Sequence, residues 1–194
     1  MFSLKLILKK EVIVVNLPAD IVHTVIKKIL NMKNLITLLF ALSLLSCGQS
    51  GNNLASQKVP NATSQTDIDK NLIIDYAIAN NLDLKSTPSG IYYVMTQEGD
   101  GGEHPTASSQ IEAHYHGTLL DGTVFDSSVK RGKPLNFKLN GVIKGWQEAI
   151  PMLTKGGKGK FFLPSHLAYG ARGSGSKIGP NSVLIFDIEL VDFK

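Results

Sequence analysis

Hydrophobic and polar residues change their spacing along the 194-residue chain, and each change predicts a different kind of segment. A mostly apolar run, residues 35–45, is followed by a stretch to residue 66 that is rich in Ser, Asn, Gln and Gly and has no apolar period. Residues 67–84 then repeat apolar side chains at spacings of three and four, which predicts a helix. After Gly90, short apolar runs separated by Gly-rich turns predict β-strands.

The predicted helix, residues 67–84, carries one apolar stripe. Thr66 or Asp67 can cap its beginning, and Asn80 with Asn81 marks its end. The stripe repeats at helical spacing and consists of Ile68, Leu72, Tyr76 and Ala79. Such a stripe must be buried, so the helix either docks on the following domain or pairs with a second copy of the chain. Docking is favoured because one short stripe offers little area for a dimer.

The strand pattern covers the C-terminal half of the chain. The predicted strands are Ile91–Gln97, Ile111–Leu120, Leu135–Leu139, Gly159–Leu163 and Val183–Val191. The second of them alternates apolar and polar positions and runs into Asp121-Gly122, a dipeptide typical of hairpins. One short helical segment, residues 146–153, lies among these strands. The pattern therefore predicts an α+β domain in which a curled antiparallel sheet surrounds one short helix.

The net charge is concentrated at the beginning of the chain. The whole chain carries +4, from 20 Lys/Arg against 16 Asp/Glu, and residues 1–47 hold six of the former and two of the latter. The remainder of the chain, with 14 of each, is neutral. A nucleic-acid interface needs a basic footprint that neutralises phosphates, so no nucleic-acid partner is expected.

Residues 33–48 have the arrangement of an export signal. Lys33 precedes the apolar run 35–45, which is shorter than the roughly 20 residues of a membrane span, and small residues surround Cys47, the only cysteine. Leucine three positions before the cysteine and serine one before it resemble the bacterial lipoprotein signal. The resemblance implies removal of residues 32–46, acylation of Cys47 and a lipid anchor facing the periplasm or the exterior. The polar composition that follows predicts a flexible tether at 47–66. The residue directly after Cys47 is not aspartate, so the resemblance to lipoproteins favours anchoring in the outer membrane over retention in the inner membrane.

Residues 1–31 do not fit that signal, because they carry charges throughout and include Pro18. They precede a second methionine, Met32, which begins a well-formed signal. Two alternatives stay open: translation starts at Met32 and residues 1–31 are an upstream extension, or the signal has an unusually long positive region.

Several classes of chemistry lack their signatures. No Cys/His metal pattern, phosphate-binding glycine loop or Gly-x-Ser-x-Gly nucleophile motif occurs. His114 and His116 lie two apart on one face of a predicted strand and can form half of a metal site, but no further ligand cluster is near them. Two solvent-facing histidines are the simpler interpretation, so no metal and no cofactor are expected.

An ordered series of short motifs runs through the strand-rich half of the chain. The motifs are His114–Gly117, Asp121–Ser128, Gly132–Pro134, Val142–Trp146, Ala168–Gly170 and Val183–Leu190. This series resembles the FKBP-type peptidyl-prolyl cis/trans isomerases over residues 90–194. The resemblance implies a half-barrel of five or six antiparallel strands wrapped around one short helix, preceded here by the N-terminal helix and its connection, residues 67–89. It also implies isomerase activity on proline-containing polypeptides, and the lipoprotein-like signal adds the expectation that these are exported chains folding outside the cytoplasm.

A proline pocket is part of what the resemblance implies. Its catalytic positions correspond here to Tyr115, Phe125, Asp126, Trp146, Tyr169 and Phe186. Its further substrate-binding positions correspond to Leu135, Val142, Ile143 and Ile178, and Arg131 matches the residue that pairs with the aspartate. The Tyr169 hydroxyl is expected to donate a hydrogen bond to the substrate carbonyl. Asp126 either interacts near the carbonyl carbon or shapes the pocket.

Leu135 departs from the family pattern, in which an aromatic residue is usual at this position. One wall is therefore less aromatic, and weaker binding of the family's macrolide inhibitors is expected. Leu135 is also the one hint of a second function, a binding module that holds proline segments with little turnover. A third function is that of a structural lipoprotein that self-associates through helix 67–84. The intact set of aromatic pocket residues favours the enzyme.

Overall fold

The computed structural model describes residues 2–8, 11–17 and 53–194, in two units divided between Ser50 and Gly51. In the first unit, β1 (Phe2–Leu8) and β2 (Glu11–Leu17) form an antiparallel hairpin in which Phe2 lies opposite Leu17. No strand is predicted there from the sequence, although the β-branched run 12–15 favours one. The expected signal 32–46, with Met32 and Cys47, lies outside the described residues.

Residues 53–64 form a structured segment, although their composition predicts that the flexible tether continues to residue 66. Residues 54–57 make a 3-10 turn with Leu54 buried. The Asn71 side chain accepts a hydrogen bond from the backbone N–H of Val59 and donates one to its carbonyl, both at 2.8 Å. The expected tether at 47–66 is therefore wrong from residue 53 onward, because Leu54 is buried and the Asn71 side chain of the following helix binds the backbone of Val59.

Helix α1 (Gln65–Ala79) begins and ends earlier than the predicted helix 67–84. Ser64 caps it by accepting a hydrogen bond from the Asp67 amide at 3.2 Å. The chain leaves the helix at Asn80, and Asn81 adopts a positive φ of 53° that helical residues do not have. Within the described ranges, no helix combines the length and the apolar character needed to cross a bilayer.

The face of α1 that packs on the domain is not the predicted stripe. Ile68 and Leu72 are 36% and 43% exposed, and the Tyr76 ring lies 5.5 Å from that of Phe162. The side chains buried beneath the helix are Asp69, Ile73, Ile74 and Ala77. The helix thus docks on the following domain, as favoured, but with a different face. Apolar residues surround most of its circumference, so spacing alone does not single out the buried side.

A seven-stranded antiparallel sheet follows α1. Its strands are β3 (Lys85–Ser86), β4 (Tyr92–Gln97), β5 (Gln110–Leu119), β6 (Val124–Ser127), β7 (Leu135–Lys138), β8 (Lys158–Leu163) and β9 (Leu184–Phe193). The order across the sheet is β3-β4-β8-β9-β5-β6, and β7 pairs with β5 further along the same edge as β6. The predicted fold class, an antiparallel sheet with a preceding helix, is confirmed, but the sheet has seven strands where five or six are expected. Strands β3 and β6 are not predicted, because two and four residues are too few to show a clear alternation in the sequence.

Two short helices complete the domain, α2 (Ser128–Arg131) and α3 (Lys144–Ala149). A 3-10 turn at 150–152 extends α3, so the predicted helix 146–153 starts earlier and changes type. Pro151 explains the change, because proline has no N–H to continue the α-helical hydrogen-bond pattern. The buried residues Trp146, Ala149 and Ile150 of this segment belong to the core inside the curved sheet.

The sheet is covered on both faces where α1 docks. Phe161 and Phe162 of β8 point to opposite faces, and both are fully buried. Phe161 belongs to the core around α3, whereas Phe162 packs with Ile73 and Ile74 of α1. Burying a large apolar side chain stabilises a fold by about 1.5–3 kcal/mol, so the helix contributes to the stability of the whole domain.

Candidate active site

An open cavity of about 640 Å³ lies between the curved sheet, α3 and the loop after residue 168. Ten of the eleven residues predicted for the proline pocket line it: Tyr115, Phe125, Asp126, Leu135, Val142, Ile143, Trp146, Tyr169, Ile178 and Phe186. The eleventh, Arg131, contacts the cavity wall through Asp126. Residues separated by more than 70 positions in the sequence thus surround one space.

Aromatic rings in edge-to-face contact form the floor of the cavity. The Trp146 ring centroid lies 5.0 Å from that of Tyr115 and 5.1 Å from that of Phe186, at interplanar angles of 77° and 78°. Phe125 meets Phe186 at 5.4 Å and 81°. Edge-to-face pairs are favoured because the positive edge of one ring meets the negative face of the other. The floor is therefore apolar and held in place from several sides.

Strand β5 reaches the floor with an alternating pattern that leaves room for one ring. Ile111, Ala113, Tyr115 and Gly117 all point inward and are buried. A Cβ atom at position 117 would lie 2.5 Å from the Phe125 ring, closer than carbon atoms approach. Glycine at this position is thus what allows Phe125 to lie across β5 and against Phe186.

Asp126 forms the polar side of the cavity together with two neighbours. Its carboxylate accepts hydrogen bonds from the Tyr115 hydroxyl and the Arg131 guanidinium, and from the Ser127 N–H at 2.8 Å. Arg131 also donates to the Tyr115 hydroxyl oxygen at 2.9 Å, with its guanidinium carbon 5.5 Å from the ring centre. Short helix α2 brings Arg131 back to β6, and Gly132 ends it with a positive φ of 73°.

The hydrogen bonds keep this cluster in one charge state around neutral pH. Burial acts to raise the pKa of Asp126, but the hydrogen bonds from Tyr115 and Arg131 outweigh it, and the pKa lies below its ordinary value. Burial, with the hydrogen bond to Asp126, raises the pKa of Tyr115. Asp126 is therefore an anion paired with a cation, and Tyr115 is a neutral donor.

The loop at 169–178 closes one side of the cavity mouth. Tyr169 is 39% exposed, and Ile178 below it is buried. Ser174 and Ile178 exchange backbone hydrogen bonds at 2.8 and 3.2 Å, which folds the loop into a small hairpin. The Lys177 ammonium lies 3.3 Å from the carbonyl oxygen of Phe125 and connects this hairpin to β6.

Sequence reasoning missed several residues that build the site, including one on β7 and two in the loop at the mouth. Phe137 packs on Trp146 with ring centroids 5.3 Å apart, and Gly175 and Ser176 line the mouth. Phe137 was within reach, because alternation along β7 places it on the same side of the strand as Leu135. The two loop residues carry no such signal, since their position depends on how the hairpin folds over β6.

His114 and His116 lie on the outer face of β5, away from the cavity floor. They are opposite Glu189 and Asp187 of β9, so the strand pairing does bring acidic side chains near them. Those carboxylates pair instead with lysines of β8, Lys160 to Asp187 at 2.7 Å among them. Among residues 53–194, no group of three or more His, Cys, Asp or Glu side chains has the arrangement of a metal site.

Comparison with known proteins places this geometry in a family. The family model described as FKBP-type peptidyl-prolyl cis-trans isomerase matches residues 101–191. A probable FKBP-type peptidyl-prolyl cis-trans isomerase FkpA of Neisseria meningitidis is 47% identical over 108 residues, which are 56% of this chain and 39% of that protein. The chain thus spans less than half the length of this relative.

Two solved structures share the fold. The crystal structure of AtFKBP13 is 43% identical with a TM-score of 0.52, and the match covers 56% of this chain and 97% of that one. The crystal structure of FkpA from Escherichia coli is 31% identical with a TM-score of 0.58, and the match covers 93% of this chain and 84% of that one.

Proposed function

Because this chain belongs to the FKBP-type peptidyl-prolyl cis-trans isomerase family, we propose that its sheet domain accelerates rotation about X–Pro bonds. The observation that carries the proposal is the aromatic floor of Trp146, Tyr115 and Phe186 under an open cavity. A proline ring is apolar and flat enough to lie on such a floor, which leaves the preceding amide bond near the mouth.

Rotation about an X–Pro bond is slow because amide resonance gives the C–N bond partial double-bond character, with a barrier of about 18–20 kcal/mol. The twisted transition state loses this resonance and much of the charge separation of the amide. An apolar cavity that holds little water binds the twisted form better than the planar, polar one. Every roughly 1.4 kcal/mol of this difference accelerates the rotation tenfold.

Polar groups at the wall orient the substrate and transfer no proton. Tyr169 stands at the mouth, where its hydroxyl can donate a hydrogen bond to the carbonyl of the residue before proline. Asp126, kept ionised by its ion pair with Arg131, holds Tyr115 against Trp146 at the wall. No nucleophile is needed, because no covalent bond is made or broken.

The proposal is tested by following cis-to-trans isomerisation of a short proline peptide by exchange NMR, with and without the protein. Catalysis is expected, and it should fall sharply in Tyr169→Ala. Val129→Ala is the matched control, because Val129 is 60% exposed and does not line the cavity. Isomerisation at the uncatalysed rate in the presence of well-folded protein would contradict the proposal.

We further propose that the enzyme acts outside the cytoplasm on exported chains, anchored through a lipid on Cys47. Support comes from the lipoprotein-like segment 32–47 of the sequence. Cys47 stands six residues before Asn53, where the described domain begins, so an anchored domain would be held close to the lipid surface. In cells, Cys47→Ala should remain unprocessed and incorporate no labelled palmitate. Continued labelling of that variant would rule the anchor out.

A further inference from the structure

Charged residues of the domain are distributed unevenly with respect to the cavity. Residues 127–146 and 164–182 supply 11 of the 15 cavity-lining residues. These two segments contain seven basic residues, half of the 14 that follow Cys47, and none of the 14 acidic ones. The neutral balance of this part of the chain therefore conceals a separation of charge, with the positive side around the cavity.

Four of these basic residues, named here the cationic rim, lie next to the lining in sequence. Lys177 itself lines the cavity, Lys144 follows Ile143, Arg172 lies between Tyr169 and Ser174, and Lys133 precedes Leu135 by two positions. All four are exposed. Within residues 53–194, none of the four forms an ion pair with a carboxylate, whereas Lys158 and Lys160 on the outer face both do.

Acidic residues near the mouth do not cancel this charge. Among the residues that the structure describes, Asp126 is the one acidic residue that lines the cavity, and the guanidinium of Arg131 neutralises it. Glu148 is exposed on α3, four residues after Lys144, and offsets that lysine most directly. The uncompensated charge therefore lies on the side of Arg172 and Lys177, in the loop that closes the mouth.

We propose that the cationic rim makes this isomerase selective for proline segments that carry Asp or Glu next to the proline. A peptide whose proline rests on the aromatic floor has its neighbouring side chains at the mouth, within reach of Lys177, which contacts the carbonyl of Phe125 at 3.3 Å. Complementary charge raises the rate of encounter and lowers the rate of dissociation, and it disfavours substrates of like charge. The inference rests on the proposed isomerase function and names its substrate class.

The test uses three peptides that differ only in the residue before proline, which is Glu, Gln or Lys. With the full chain at low salt, kcat/KM from exchange NMR should follow the order Glu, Gln, Lys, with about a fivefold difference between the first and the last. The difference should shrink at about 0.5 M salt, because screening acts on exposed charges. Equal or reversed values for the Glu and Lys peptides would overturn the inference.

Variants assign the effect to the rim. The double variant Arg172→Gln/Lys177→Gln should abolish the ratio between the Glu and Lys peptides, and Lys177→Glu should reverse it. Lys85→Gln is the matched control, because Lys85 is exposed on the distant edge strand β3 and pairs with no carboxylate in the described domain. It should leave the ratio unchanged. A ratio that survives the double variant would refute the assignment.

Binding of the same peptides, measured by titration calorimetry, separates this inference from the proposed function. Activity on the Gln peptide without discrimination between Glu and Lys would refute the inference and leave the isomerase proposal standing. Absence of turnover on all three would refute the isomerase proposal. The order of the three dissociation constants would then still decide whether the rim selects acidic segments.

Discussion

Replacing Asp69 with alanine is expected to lower the free energy of unfolding by about 3 kcal/mol, because Asp69 ties α1 to the sheet domain. Its side chain is fully buried, and Oδ2 accepts hydrogen bonds from the N–H of Ser165 at 2.8 Å and the Ser165 hydroxyl at 2.6 Å. Oδ1 accepts one from Gln65 at 2.7 Å. Among residues 53–194 no cation pairs with it, so hydrogen bonds alone offset the cost of burying the carboxylate.

The magnitude follows from the groups that the substitution leaves behind. A hydrogen bond to a charged acceptor contributes about 1.5–3 kcal/mol, and a buried donor without a partner costs about 1–3 kcal/mol. Asp69→Ala leaves the backbone N–H and the hydroxyl of Ser165 buried without an acceptor. Ser165→Ala removes only the hydroxyl, so a loss of about 1 kcal/mol is expected. Asp75 lies on the same helix as Asp69, and Asp75→Ala breaks an exposed ion pair with Lys58 of the preceding segment, so it should cost less than about 1 kcal/mol.

Urea unfolding followed by the fluorescence of Trp146, the only tryptophan, measures all three variants on one scale. Adding the double variant Asp69→Ala/Ser165→Ala completes a cycle in which the two losses should not add, because they share one interaction. A loss for Asp69→Ala no larger than for Asp75→Ala would mean that apolar contacts alone hold α1. Additive losses would mean that the two residues act independently.

Four further predictions concern the cavity. Phe125→Ala should remove most activity while lowering the free energy of unfolding by less than the ~3–5 kcal/mol typical of a fully buried Phe. Trp146→Leu should keep the fold but weaken binding of proline peptides. If Phe125→Ala unfolds the domain and Trp146→Leu has normal activity, the cavity is not the catalytic site. Gly117→Ala should displace Phe125, lower the activity and reduce stability by about 1–3 kcal/mol, as measured by thermal unfolding. Wild-type activity of this variant would refute the prediction. Because the pKa of Asp126 is lowered and that of Tyr115 is raised, neither group changes charge between pH 6 and 8, and the isomerisation rate should not depend on pH in this range. The rate should also be insensitive to chelators. A bell-shaped pH–rate profile would contradict the mechanism. The lowered pKa of Asp126 also contributes stability above the unfolded value of about 4, which should be lost as the pH falls further and should be absent in Asp126→Asn.

The site could be anticipated from the sequence because its residues lie on strands and in short motifs with local rules. A period of two places Tyr115 and Gly117 on the inner face of β5 wherever the sheet curves. The segment Val142–Trp146 contains both the start of α3 and residues of the cavity lining, so the short distance in sequence from Val142 to Trp146 is enough to place Trp146 at the cavity. The charged pair of Asp126 and Arg131 is joined by one turn of helix, which is likewise a local arrangement.

Only the tertiary structure decided which side of α1 is buried and what the polar residues beneath it do. Ile68 and Ile73 are equally apolar, so the choice between their faces depends on the shape of the sheet surface beyond Phe162. The sequence predicts Asp69 to be a surface residue. The fold instead brings the two donors of Ser165, 96 positions later, within hydrogen-bond distance of its carboxylate. Burying a carboxylate is favourable only when its partners are already in place, and no local pattern records partners so distant in the chain.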